Sequence, residues 1–186
     1  MPSFNDDAGT VILLSDKTQI DRFDYSEKMH FKLIKDAEGV SLERSSFSES
    51  ANDVGNFRSA SSTSGFATPG YKNSQFLQPG VDDEFALTSK TFSPDNDGYE
   101  DVLQITYKLA QPGMIANLTV YNDQGVLIKK LIKNETLNSE GCFIWDGFNE
   151  SSQKASTGIY IVYAEFFDVG GRVKKFRKTF ALAVKL

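Results

Sequence analysis

The stretch Ile159-Tyr160-Ile161-Val162-Tyr163-Ala164-Glu165-Phe166-Phe167, followed by Asp168-Val169-Gly170-Gly171, decides the fold. β-Branched and aromatic residues dominate it, and such side chains suit a pleated, half-buried surface. Successive strand residues point to opposite faces, so Tyr160 and Phe166 share one face while Tyr163 and Phe167 share the other. One face is read as core and the other as a contact surface. The Asp/Gly-rich tetrapeptide after it is a turn, and a second strand is expected over 173–184.

Working outward, the same grammar recurs. Further strands are expected over 85–92, 102–109, 114–121, 126–132 and 142–145, giving seven with the two already named. The turn signals between them are Ser93-Pro94-Asp95-Asn96-Asp97-Gly98, Gln111-Pro112-Gly113, Asn122-Asp123-Gln124-Gly125 and Asp146-Gly147. Short strands at this spacing are the pattern of an Ig-like β-sandwich. Ile105, Tyr107 and Leu109 fall on one face, as do Leu118 and Val120, and Phe176, Phe180, Leu182 and Val184 share one parity. No segment carries a convincing helical period.

Upstream of residue 85 the pattern loosens. Val11-Ile12-Leu13-Leu14 reads as a strand and Ser15-Asp16-Lys17-Thr18 as its turn. Gln19-Ile20-Asp21-Arg22-Phe23-Asp24-Tyr25 alternates as a second strand, and Val40-Ser41-Leu42-Glu43-Arg44 as a third. A serine-rich stretch then lacks any apolar period, and a long coil anchored by Phe47, Phe57, Phe66, Tyr71 and Phe76 is expected. The expected domains are a partial β module over 1–76, a linker over 77–84 and a sandwich over 85–186. The fold class is therefore all-β.

Composition excludes several functions. The 186 residues carry a net charge of -5, against the basic footprint of a general nucleic-acid binder. One Cys and one His leave no disulfide and no multi-Cys or multi-His metal site. Cys142 is read as a small buried strand residue and His30 as a loop or strand-edge residue with no nucleophile motif beside it. No apolar run approaches the roughly 20 residues that span a bilayer. The opening Met1-Pro2-Ser3-Phe4-Asn5-Asp6-Asp7 has neither the basic nor the apolar region of a secretory signal.

One loop has ligand chemistry. In a calcium loop, oxygen ligands alternate and a glycine takes the sharp turn. In that frame Asp95 and Asp97 offer carboxylates, Gly98 turns, Tyr99 offers its carbonyl and Asp101 follows. Ser93 and Gln104 occupy the first and twelfth positions, where a loop of that type has stronger ligands. The alternative is an Asp/Asn/Gly turn whose carboxylates cap backbone N–H groups. The acidic run Asp82-Asp83-Glu84 reads as a solvated spacer. Trp145-Asp146-Gly147 reads as a buried indole before a turn, with a sugar-stacking platform as the alternative if the indole is exposed. Lys129, Lys130 and Lys133, and Lys174, Lys175, Arg177 and Lys178, read as edge-strand lysines that block edge pairing. Their functional alternative is contact with an acidic partner, an envelope polysaccharide or extracellular DNA.

These motifs carry a resemblance. Phe92-Ser93-Pro94-Asp95-Asn96-Asp97-Gly98-Tyr99-Glu100-Asp101, Leu118-Thr119-Val120-Tyr121-Asn122-Asp123-Gln124-Gly125, Phe143-Ile144-Trp145-Asp146-Gly147 and Thr157-Gly158-Ile159-Tyr160 occur in order. With them the C-terminal zone resembles the Ig-like domain named after the flagellar hook-capping protein, and related C-terminal modules of bacterial surface and gliding-associated proteins. Gly39-Val40-Ser41-Leu42-Glu43-Arg44, Ser59-Ala60 and Ala67-Thr68-Pro69-Gly70-Tyr71-Lys72-Asn73-Ser74 resemble the later half of a bacterial lamin-tail domain, with Phe57 where members often carry Trp. The resemblance implies the tail of a longer exported polypeptide, located at the cell surface and associated with the outer membrane. It implies a non-catalytic structural or adhesive module whose partner is a protein or envelope polysaccharide. Two alternatives stand beside it: a C-terminal secretion or anchoring signal, and an accessory glycan- or DNA-binding module of an upstream enzyme. A half-sandwich exposes unpaired edges, so a homodimer by strand complementation of the N-terminal module is also expected.

Overall fold

The computed structural model describes residues 4–184, so Met1, Pro2 and Ser3 of the opening segment lie outside the described residues. The chain forms two compact units, Met1–Leu77 and Gln78–Leu186. In the first, β1 (Ala8–Ser15) and β2 (Thr18–Ser26) form an antiparallel hairpin. Its turn holds Asp16 and Lys17 at φ 47° and 74°, the left-handed conformation that two-residue hairpin turns require. β3 (Leu42–Arg44) pairs with β4 (Phe57–Ser59), a strand too short to show a period in the sequence. The two pairs meet where Phe23 stacks on Phe57 at a centroid distance of 3.7 Å.

The serine-rich coil is held differently from the expectation. Phe47 and Tyr71, expected as anchors, are 71% and 84% exposed. Phe57, Phe66 and Phe76 are partly buried as expected, and buried polar groups fix the segment alongside them. The Glu43 carboxylate is buried and accepts from Thr68 Oγ1, from Ser74 Oγ at 2.6 Å and from Gln75 N at 3.4 Å. Asn56 is also buried; its Oδ1 accepts from Ser46 N at 2.8 Å and its Nδ2 donates to the carbonyls of Ser46 and Ser50. A coil can be buried only where its backbone groups find such partners.

The second unit is a β-sandwich. β5 (Glu84–Leu87), β7 (Leu103–Lys108) and β10 (Glu140–Trp145) form one sheet in the order β10-β7-β5. β6 (Thr91–Phe92), β8 (Ile115–Asn122), β9 (Leu127–Thr136), β11 (Gly158–Phe167) and β12 (Val173–Leu182) form the other, in the order β6-β12-β11-β8-β9. The strand expected over 85–92 is thus two strands in different sheets, because the chain crosses between the layers at Thr88–Lys90. Glu84, assigned to a spacer by the sequence, opens β5. Asp83 accepts from Ala110 N at 2.8 Å and pairs with Lys174, so the acidic run is tied into this unit rather than free in solvent.

Alternation predicts the core. Leu103, Ile105 and Tyr107 of β7, Leu118 and Val120 of β8, and Tyr160, Val162, Ala164 and Phe166 of β11 are all buried. Trp145 lies between Phe92, Tyr160 and Phe180 at centroid distances of 5.4, 5.5 and 5.6 Å. The Tyr160 hydroxyl donates to the Ser156 carbonyl four residues upstream. A tyrosine at this place, near the start of the penultimate strand, is a hallmark of Ig-type sandwiches. Among the described residues the only helical turns are the 3-10 turns Glu27–Met29 and Ser62–Ser64, and no helix is long and apolar enough to cross a membrane.

Candidate functional site

The connection from β6 to β7 builds the acidic loop. Phe92 is fully buried at its start and Leu103 at its end, so both ends are pinned in the core. Between them Asn96, Gly98 and Glu100 adopt φ of 62°, 88° and 50°. Left-handed residues alternating with ordinary ones turn successive N–H groups inward, forming a concave nest that attracts anions. Here the nest takes the chain's own carboxylate: Asp101 Oδ1 accepts from Asn96 N at 2.6 Å and Oδ2 from Gly98 N at 2.8 Å. Asp95 Oδ1 accepts from Asp97 N at 3.3 Å, and Asp97 Oδ1 from Tyr99 N at 2.9 Å. The capping alternative raised from the sequence is therefore present in the structure.

The same folding gathers the three carboxylates. One oxygen each from Asp95, Asp97 and Asp101 lie within 4.8 Å of one another. Two ligands on one calcium ion are at most about 5 Å apart, since each bond is about 2.3–2.6 Å. Asp95 Oδ2 is buried without a hydrogen-bond partner. The Tyr99 side chain is 71% exposed, leaving only its backbone for the role assigned to it. Gln104, at the twelfth position, lies on β7.

Trp145, Cys142 and His30 each have a defined environment. Trp145 is 1% exposed and its Nε1 donates to the Phe148 carbonyl at 2.9 Å, so it is no sugar platform. Cys142 is exposed, a correction to the buried position expected of it, because β10 turns its alternate face to solvent. His30 Nδ1 lies 3.0 Å from Ser59 Oγ. That serine is buried and its Oγ already accepts from Phe31 N at 2.9 Å. Among the described residues no carboxylate orients the imidazole, as an activated serine requires. Burial lowers the His30 pKa from its ordinary value.

The basic residues separate by strand. Lys129, Lys130 and Lys133 lie on β9, the edge of its sheet, as the edge-strand reading expects. Lys174, Lys175, Arg177 and Lys178 lie on β12, which β6 covers only at Ala181 and Leu182.

Comparisons with known proteins concern the second unit. The family described as the CHU_C type IX secretion signal domain matches residues 86–180. No curated protein matches the chain. Three solved structures are similar to parts of it. PorZ, an essential bacterial surface component of the type-IX secretion system of Porphyromonas gingivalis, is 20% identical with a TM-score of 0.33. That match covers 53% of this chain and only 11% of PorZ. FlgD from P. aeruginosa is 18% identical with a TM-score of 0.37, covering 53% of this chain and 73% of that one. CopC from Methylosinus trichosporium OB3b is 11% identical with a TM-score of 0.34, covering 55% of this chain and 97% of that one. The lamin-tail likeness of the first unit has no counterpart among these matches. With just over half of its length matched, and the matched residues folded as one sandwich, the chain belongs to the CHU_C type IX secretion signal domain family.

Proposed function

We propose that the second unit acts as a C-terminal export signal, recognised by the type IX secretion machinery, and that the chain itself performs no catalysis. The observation that carries this is the family match over residues 86–180, which lies wholly inside the unit Gln78–Leu186. It favours the signal over the adhesive module that the resemblance first suggested. A signal presented on a folded sandwich needs a stable scaffold rather than a reactive group. Removing residues 78–186 from the full-length protein in a host with this machinery is expected to shift it from the cell surface to the periplasm. Unchanged export with lost adhesion would overturn the signal and favour the adhesive module.

A second reading concerns the loop from Asp95 to Asp101, as a weak calcium site that stiffens the β6–β7 connection. Two observations support it: three carboxylates close enough to share one ion, and the unpartnered, buried Asp95 Oδ2. Calcium at about millimolar concentration, the range of extracellular sites, is expected to raise the melting temperature, and Asp95→Asn is expected to abolish the rise. A calorimetric titration with no heat, together with an unchanged melting temperature, removes the site.

A further inference from the structure

The register of the five-stranded sheet brings distant residues into rows across its solvent face. Lys130 of β9 pairs with Thr119 of β8, Thr119 with Tyr163 of β11, and Tyr163 with Arg177 of β12. The next row runs Lys133, Asn117, Glu165 and Lys175. On the other side of the first row, Tyr121 pairs with Ile161. Paired residues share a face. Two cations on β9 and two on β12 therefore flank the central strands, separated by three strand spacings, or roughly 15 Å.

The middle of this face is not basic. Tyr121, Ile161 and Tyr163 line a shallow depression of about 590 Å³ together with Lys175 and Arg177. The Tyr163 hydroxyl donates to Glu165 at 2.8 Å, and Lys175 approaches the same carboxylate at 3.4 Å. These contacts, the tyrosine bond first, keep Glu165 ionised below the ordinary carboxylate range. Lys129, by contrast, pairs with Val120 on the core-facing side and reaches the Asn149 carbonyl, and Lys174 pairs with Asp83. Only part of each basic patch faces outward here.

We infer that this face of the sandwich docks an acidic protein surface, one with an apolar centre flanked by carboxylates on two sides. This rests on the export-signal reading and names the chemistry of the partner that reads the signal. Two features favour a protein over a polyanionic chain. An apolar, tyrosine-bearing centre inside a charged rim is the anatomy of a protein interface, with Tyr and Arg the residues most enriched at its energetic centre. A continuous polyanion crossing between the cation columns would meet the Glu165 carboxylate midway.

The test uses the full chain and two quadruple variants. One carries Lys130→Glu, Lys133→Glu, Lys175→Glu and Arg177→Glu. The other carries Lys17→Glu, Lys28→Glu, Lys32→Glu and Lys35→Glu on exposed positions of the first unit, with the same change in net charge. The probes are a random Glu/Tyr copolypeptide and dextran sulfate, with equal melting temperatures required of all three proteins. The face variant is expected to bind the copolypeptide about tenfold more weakly than wild type, while the control variant binds as wild type does. Equal losses in both variants, or tighter binding of wild type to dextran sulfate than to the copolypeptide, overturn the inference. In the secretion-competent host, the face variant of the full-length protein is expected to remain periplasmic while the control reaches the surface. Lost copolypeptide binding with normal export overturns the link to the signal. Wild-type protein that fails to reach the surface overturns the export reading, and the copolypeptide result then decides the docking face alone.

Discussion

At the scale of single residues, His30 shows how a side chain can be visible in a sequence while its role is not. Its uniqueness makes it the natural candidate for acid–base work. Its surroundings make it a partner of buried Ser59. Burial holds its folded pKa below 6.5. The unfolded chain therefore takes up a proton first as pH falls, and stability falls with it. The contribution is fully present above the unfolded value and is lost as pH drops from there toward the folded one. The denaturation midpoint of the first unit is expected to be lower at about pH 5.5 than at about pH 7.5, and His30→Gln is expected to flatten that slope. A slope unchanged by the substitution would mean that His30 is not its source. Glu43 had no chemical signature in the sequence at all. Its three donors come from residues 25 to 32 positions away, and only folding assembles them.

At the scale of elements, the strands of the second unit were legible because alternation is a local property. Each expected strand from 102 onward lies within a few residues of an observed one. The break between β5 and β6 was not legible, since the crossing Thr88-Ser89-Lys90 holds no Gly or Pro to mark a turn and only pairing reveals two sheets. Gly141 is a further case. It sits opposite Tyr107 in the β10–β7 pair, and a Cβ there would come within 2.5 Å of the Tyr107 hydroxyl oxygen. Tyr107 is 2% exposed and is packed between Phe143 and Phe166, so its ring cannot yield. Gly141→Ala is expected to destabilise the second unit by about 1–3 kcal/mol, measured by urea denaturation. A smaller effect would show that the ring has room to move.

At the scale of the whole molecule, the family places this chain among exported proteins, and its two units differ in how they are built. The second closes two sheets over an aromatic core. The first has two pairs of strands, and its hairpin leaves Ile12, Leu13, Leu14 and Ile20 between 47% and 61% exposed. Exposed apolar strands with open edges invite pairing. Strand complementation between two copies is the corresponding prediction: light scattering is expected to give a dimer, and Leu13→Lys with Ile20→Lys a monomer. A monomeric wild-type chain with an ordered first unit would remove that prediction.

By itself the sequence determined the all-β class, the strand positions from residue 102 onward and the acidic loop. Those features depend on period and turn chemistry over about ten residues, and both can be read along one chain. Tertiary structure alone decided which aromatics of the serine-rich coil are packed and which are bare, and that buried polar groups help hold that coil. It also decided that Lys130 and Arg177 belong to one face. These depend on strand order and register, which join residues far apart in sequence, and no local pattern encodes which strand lies beside which.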